Sequence, residues 1–206
     1  MGVLKANIVL TGGPCAGKTT TIAKIKEDLE NSGYHVLLLN ECATEIINGG
    51  IRPFGDNQVS VFDFQNEILN LQLFKEKRYL DIIAKLPEDT KCIILSDRGI
   101  MDSKAYLGSE LFTKLLDQNN LKEENLGHQY DMVIHLVTVA TNNQNKYNTS
   151  SNSARFEENI DEVIDLDRRT NEVWQKHKNL KRVEATGTIE EKIEKVINII
   201  HDYLEI

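Results

Sequence analysis

Eight consecutive residues, Gly12-Gly13-Pro14-Cys15-Ala16-Gly17-Lys18-Thr19, match the phosphate loop G-x-x-x-x-G-K-[ST] in full. Glycines at these positions let successive backbone N–H groups converge on phosphate oxygens. A helix that opens at Lys18 adds its positive end, and Thr20 extends that first turn. Lys18 is expected to stand exposed until a ligand arrives and then to reach the β- and γ-phosphates. The Thr19 hydroxyl is expected to ligate Mg²⁺. The loop therefore predicts binding of a nucleoside triphosphate, ATP or GTP, as its magnesium complex.

Two acidic positions follow apolar runs. Asp97 closes Cys92 to Leu95 and has the position of a carboxylate that holds Mg²⁺ directly or through water. Many ATP-hydrolysing machines place a Glu next, to orient the attacking water; here it is Arg98, so strong hydrolysis lacks an evident base. Asp97-Arg98-Gly99 instead resembles the Asp-Arg or Glu-Arg-Ser motif of nucleoside and nucleotide kinases, which implies a phosphate contact for Arg98. Glu41 closes His35 to Leu39. The same resemblance implies that it takes the acceptor's proton, and strands ending at one sheet edge make the same general-base proposal. Glu45, one helical turn on, competes for that role.

Phe62, Gln65, Leu69, Gln72, Leu73 and Leu80 fall on one face at 3.6-residue spacing. Amides on an apolar face need partners, and a planar acceptor stacked near Phe62 or Phe64 would supply them. Phe62 and Gln65 are thus the candidate acceptor-binding residues. Phe64-Gln65 is similar to a Phe-Gln pair of deoxynucleoside kinases, where Gln reads the base. Further on, Arg155 follows the polar stretch Thr141 to Ser153 (TNNQNKYNTSSNS). That composition cannot pack and reads as a mobile lid at about 141–156. Arg155 would then close on the transferring phosphoryl group. Arg168 and Arg169 read as structural, paired along their helix with Asp165 and Asp167. The five histidines lack metal-ligand spacing.

Placing these residues requires strands at Asn7 to Leu10, His35 to Leu39, Cys92 to Leu95, Met132 to Val139 and, more weakly, Lys181 to Ala185. Helices are expected at Lys18 to Asn31, Ser60 to Leu86 and Ile189 to Leu204, with another carrying Arg168, Arg169 and Trp174. Continuous apolar strands alternating with helices predict an α/β fold: a parallel sheet of about five strands covered on both faces. Ligands of such sheets bind at the carboxyl ends of the strands, near the topological switch point. That rule selects the glycine loop, Glu41, Asp97-Arg98 and the segment after Val139.

The 206 residues suit one domain with an inserted lid, and 40% apolar residues suffice for a core. Thirty-two acidic against 24 basic residues give a formal charge of −8, which argues against a nucleic-acid partner. Cys15, Cys42 and Cys92 form no CxxC pair and suit a reducing compartment. The N-terminal apolar run is too short for a signal or a transmembrane helix. Gly2 lacks the Ser or Thr that myristoylation requires at position 6, which is Ala6. These features predict a soluble, cytoplasmic protein. Without a secretory signal, the glycosylation match at Asn148 carries no meaning.

Residues 12–20 (GGPCAGKTT), 97–106 (DRGIMDSKAY) and 152–157 (NSARFE), with the Trp174…His177 spacing, resemble one AAA-type P-loop family. It includes the TRPL-translocation-defect protein and the nicotinamide-riboside-kinase domain of the bifunctional NAD-biosynthesis regulator. The resemblance covers nearly the whole chain. It implies a nucleoside-kinase-like P-loop fold and binding of ATP or GTP. Two activities fit: a kinase acting on a nucleoside-like small molecule, or a regulatory GTP/ATP-binding module with a protein or phosphoinositide partner. Regulatory signatures are poor: Asp97-Arg98-Gly99-Ile100 lacks the Gly of D-x-x-G. Asn145-Lys146-Tyr147-Asn148 ends in Asn where guanine readers have Asp.

Overall fold

The structure is a computed structural model that describes residues 1–141 and 160–206. Five strands form one all-parallel sheet in the order β2-β3-β1-β4-β5. They are β1 (Val3–Thr11), β2 (His35–Leu39), β3 (Lys91–Asp97), β4 (Met132–Leu136) and β5 (Leu180–Val183). β1 starts earlier than its apolar run because Val3 and Leu4 pair with Lys91 and Cys92 before a register shift at Ala6. Those first residues are partly exposed, so hydropathy does not reveal them. β4 ends at Leu136, three residues before the apolar run does, and Val139–Thr141 forms a 3₁₀ turn.

Six helices complete the described fold: α1 (Lys18–Asn31), α2 (Cys42–Asn48), α3 (Val61–Ile83), α4 (Asp102–Gln118), α5 (Ile160–Val173) and α6 (Ile189–Leu204). Each long boundary has a chemical cause. Ser60 caps α3 by accepting from the Asp63 N–H at 3.0 Å. Thr188 and Glu191 form a reciprocal capping box on α6. Gly33, at φ 86°, turns the chain after α1. α2 and α4 have no counterpart among the sequence expectations. α2 is only seven residues long, and α4 is broken at Gly108 (φ 74°, ψ 170°), which interrupts its apolar period.

Alternation along the strands divides the core. Ile8, Leu10, Ile93, Leu95, Ile134 and Leu136 face α1 and α6, which contribute Ile22, Ile25, Leu29, Val196 and Ile200. Val9 and Val133 face the opposite layer, packing with Leu69 of α3, Phe112 and Leu115 of α4, and Trp174. Burying these side chains, at roughly 1.5–3 kcal/mol each, holds the sheet as a rigid platform whose carboxyl edge stays open. β1 lies between the two crossover directions, so its end is the switch point. No helix of the described residues is long and apolar enough to cross a membrane.

Candidate active site

A cavity of about 840 Å³ opens at that carboxyl edge. One end is lined by Pro14 to Thr20, the other by α2, by Phe64, Gln65, Ile68 and Gln72 of α3, and by Ser103 and Tyr106 of α4. Glu41, Asp97, Arg98 and Asp102 lie between them. The phosphate loop and the acidic strand ends thus share one space, as the strand-end rule requires.

The phosphate loop is held from behind by three side chains that no motif announces. Asp167 of α5 accepts from the Gly13 N–H at 2.7 Å. The Thr138 hydroxyl donates to the Pro14 carbonyl at 2.6 Å. Lys192 of α6 donates to the carbonyls of Ala16 (2.8 Å) and Val137 (2.7 Å). Asp167 therefore turns inward, correcting the expectation that it pairs with an arginine of its own helix. Asp165 takes both, bonding Arg168 at 2.6 Å and Arg169 at 2.9 Å. Gly12 has φ 138°, and a Cβ there would come within 2.1 Å of the Leu136 carbonyl. A Cβ on Gly13 would meet Asp167 at 2.8 Å. Gly12 and Gly13 shape the loop from below, while Pro14, Cys15, Ala16, Gly17, Lys18, Thr19 and Thr20 line the cavity.

Lys18 corrects a second expectation. Its ammonium is not left exposed but donates to the Gly12 and Gly13 carbonyls at 3.0 and 2.9 Å. Burial, helped by the neighbouring Arg98 charge, lowers its pKa to about 8.

The acceptor half is organised by charge. The Arg98 Nε donates to Glu41 Oε1 at 2.6 Å, and Nη1 donates to the Gly12 carbonyl at 3.2 Å. Asp102 Oδ2 lies 3.6 Å from Nη1. Glu41 also accepts from the Thr44 hydroxyl at 2.5 Å. Burial opposes its charge, but Arg98 and Lys18 overcome that and lower the Glu41 pKa to about 2. Glu41 is thus an ionised carboxylate at the cavity wall. Glu45, its competitor, is ion-paired with Lys75 of α3.

The backbone of this corner is strained and supported. Arg98 has φ 73°. Its carbonyl accepts from the Gln72 amide at 3.1 Å, and the Ile100 N–H donates to the Tyr130 hydroxyl at 3.2 Å. Tyr130 in turn donates to buried Glu76 at 2.6 Å. Asp102 ties three elements together, accepting from the Thr11 hydroxyl and from the Trp174 indole N–H, each at 2.6 Å. Asp102 stands within the motif at 97–106, yet nothing in the sequence shows that a tryptophan 72 residues later meets it.

Asp97 Oδ1 is buried and accepts no hydrogen bond from the described residues. Burial raises the Asp97 pKa to about 6. Asp97, with that orphaned oxygen, lines the same cavity as Thr19, a pairing that fits a hard cation. Among the described residues no three His, Cys, Asp or Glu side chains cluster as a metal cage. Such an ion would therefore be carried chiefly by phosphate oxygens.

The structure separates the two α3 candidates. Gln65 is 4% exposed, lines the cavity and makes no side-chain hydrogen bond to the described residues. Phe62 does not line the cavity: half-buried, it packs against the core layer that α4 shares, with the Lys114 ammonium 5.3 Å over its ring. The cavity aromatic is Phe64. Their two-residue offset on a helix, about 200°, sends them to opposite sides. Arg155 and the expected lid at 141–156 lie outside the described residues, apart from Thr141.

A phosphate loop beside an acidic acceptor cleft, on a parallel sheet covered on both faces, defines a P-loop protein of nucleoside- and nucleotide-kinase architecture. The chain matches the model of an AAA-domain family over residues 7–192, and it belongs to that family. Its relatives include a thymidylate kinase of Caldicellulosiruptor saccharolyticus, 26% identical over 96% of this chain and 97% of that enzyme. A probable thymidylate kinase of Sulfurisphaera tokodaii is 29% identical over 90% of each chain. A thymidylate kinase of Mycoplasma capricolum is 35% identical over 103 residues, spanning 50% of this chain and 48% of that one. The chain thus spans about half the length of that last relative. Deoxyadenosine kinase from M. mycoides with bound dATP superimposes with a TM-score of 0.65 at 18% identity, covering 95% of this chain and 99% of that one. This last likeness is one of fold.

Proposed function

We propose that the protein is a phosphotransferase that moves the γ-phosphoryl group of magnesium-bound ATP or GTP to a small nucleoside or nucleotide acceptor. One observation carries this reading: the phosphate loop and the Glu41–Arg98 pair line one cavity roomy enough for both substrates. The kinase relatives agree with it. Residues 14–20 bind the triphosphate over a loop shaped by Gly12 and Gly13. Thr19 and Asp97 hold Mg²⁺, which neutralises phosphate charge. Glu41 accepts a hydrogen bond from the acceptor and then its proton, with Arg98 held against it. Gln65 and Phe64 engage the base. Arg155, which follows the polar stretch 141–153 in the sequence, serves as the lid arginine. Within the AAA-domain family, the motifs at 12–20 and 97–106 favour a place beside the TRPL-translocation-defect protein and the nicotinamide-riboside-kinase domain. The cysteine usage favours a cytoplasmic setting.

The test is transfer of label from γ-labelled ATP and GTP to a panel of nucleosides and nucleotides. A labelled organic product is expected. Label released only as inorganic phosphate, and slowly, would end this reading in favour of a regulatory nucleotide-binding module acting on a protein or phosphoinositide partner.

A further inference from the structure

Granting the kinase reading above, we infer that the acceptor is a nucleoside without a phosphate, and that Glu45 helps exclude nucleoside monophosphates. The charges lining the acceptor half carry this assignment. With Asp97 set aside for the metal, three carboxylates line it: Glu41, Glu45 and Asp102. Beyond the phosphate loop, one cation among the described residues faces them, Arg98. Its guanidinium is already committed, through Nε to Glu41 at 2.6 Å and through Nη1 to the Gly12 carbonyl at 3.2 Å. The nearest reserve is Lys75, and Glu45 holds its ammonium in an ion pair.

A 5′-phosphate brings nearly two negative charges and needs two or three free cationic or N–H donors. This half of the cleft offers it carboxylates instead. In a partly dry cleft each close like-charge contact disfavours binding by roughly tenfold or more. Chemistry adds a separate reason. A phosphate acceptor attacks through an oxygen that is already ionised, so a base beside it has no proton to take. A hydroxyl acceptor has one, and Glu41 stands ready as an ionised carboxylate. On transfer the hydroxyl oxygen bonds to the γ-phosphorus, the β–γ bridging bond breaks, the diphosphate leaves and the hydroxyl proton passes to Glu41. Neutral groups along the same wall, Gln65, Ser103 and Tyr106, suit a sugar and a base.

The experiment compares kcat/KM for matched pairs: each of the four common deoxynucleosides and ribonucleosides against its own 5′-monophosphate, with magnesium ATP as donor. In the pair with the best base, the nucleoside should be preferred by about 100-fold or more. Equal or greater use of the monophosphate overturns this inference and leaves the kinase reading standing. If neither class is phosphorylated with any base, the kinase reading itself falls and the inference goes with it. Glu45→Gln releases Lys75 and should narrow the nucleoside-to-monophosphate ratio about tenfold. An unchanged ratio in a folded variant removes Glu45 from the discrimination.

Discussion

The donor half of the cleft is built from backbone, the acceptor half from side chains that hold one another. On the phosphate-loop side, residues 14–20 form the wall, and Asp167, Thr138 and Lys192 brace it from behind. On the opposite side, Glu41 and Arg98 are each fixed by the other and by Thr44, Gly12 and Asp102. A backbone site tolerates change in the side chains it displays and fails when its glycines or its lysine change. A side-chain site fails through single functional groups, and its specificity can be retuned. Substitutions in the two halves should therefore break different measurements.

The largest effect is expected in the acceptor half. Glu41→Gln keeps the size of the side chain and an oxygen to face Arg98 but removes the base. Phosphoryl transfer should fall by roughly 10²–10⁴-fold while triphosphate affinity stays near wild type. Asp97→Asn should behave otherwise and weaken magnesium-dependent triphosphate binding as well as rate, because it removes the charge of a carboxylate whose Oδ1 has no partner among the described residues. Single-turnover rates and calorimetric titrations on both variants separate the roles. Wild-type transfer by Glu41→Gln would move the base elsewhere.

In the donor half, Lys18→Ala should lower affinity for a non-hydrolysable triphosphate by about 100-fold, from the loss of charged hydrogen bonds worth roughly 3 kcal/mol. In the free protein that ammonium bonds, among the described residues, to the Gly12 and Gly13 carbonyls, and Gly12 keeps a second donor in Arg98. The melting temperature should therefore change little. Unchanged affinity would mean that the loop does not bind phosphates.

Gly99→Ala tests how stiffly the acceptor corner is held. A Cβ at that position would come within 2.6 Å of the Trp174 ring. The indole is itself fixed, 1% exposed, bonded to Asp102 and edge-on to Tyr130. Overpacking there should cost about 1–3 kcal/mol and displace the Arg98 turn. Chemical denaturation and transfer rate should both register it, with triphosphate affinity much less affected. Near-wild-type stability would show that the corner yields, and that its contacts do not position Arg98.

The same contrast explains what could be read in advance. The donor loop is contiguous, and its chemistry requires particular residues at fixed spacing, so Gly12 to Thr19 were legible as a unit. Long helices with intact periodicity, α1 and α6, were legible to the residue. The acceptor half draws on β2, α3, β3, α4 and Trp174, whose meeting is a product of topology. Strand-end logic does bring Glu41, Asp97 and Arg98 to one cavity, because parallel strands deliver their last residues to one edge. It could not find Asp102, Asp167, Thr138 or Lys192, since a buried partner of backbone carries no periodic signature. Phe62 was misplaced because a face drawn at 3.6-residue spacing is wide. Gln65 sits at its border with the cavity, while Phe62 sits inside the α3–α4 seam.

The smallest and most specific effect concerns the brace. Lys192→Met leaves the Ala16 and Val137 carbonyls without their donor, which should cost about 1–3 kcal/mol of stability at neutral pH. The pH dependence identifies the cause. Burial, assisted by repulsion from Lys18 and opposed by Asp167, lowers the Lys192 pKa from 10.5 to about 8. Between those values the unfolded chain binds more protons at this residue than the folded one. Stability from this group therefore rises with pH across that window and is flat below it. Urea unfolding of both proteins at pH 7, 8, 9 and 10 should show a constant difference up to about pH 8 and a widening advantage of the natural chain above it. A difference that shrinks above pH 8 would mean that the folded state holds this proton more tightly than the unfolded one. Lys192 would then be an ordinary ion-paired lysine rather than a desolvated strut under the phosphate loop.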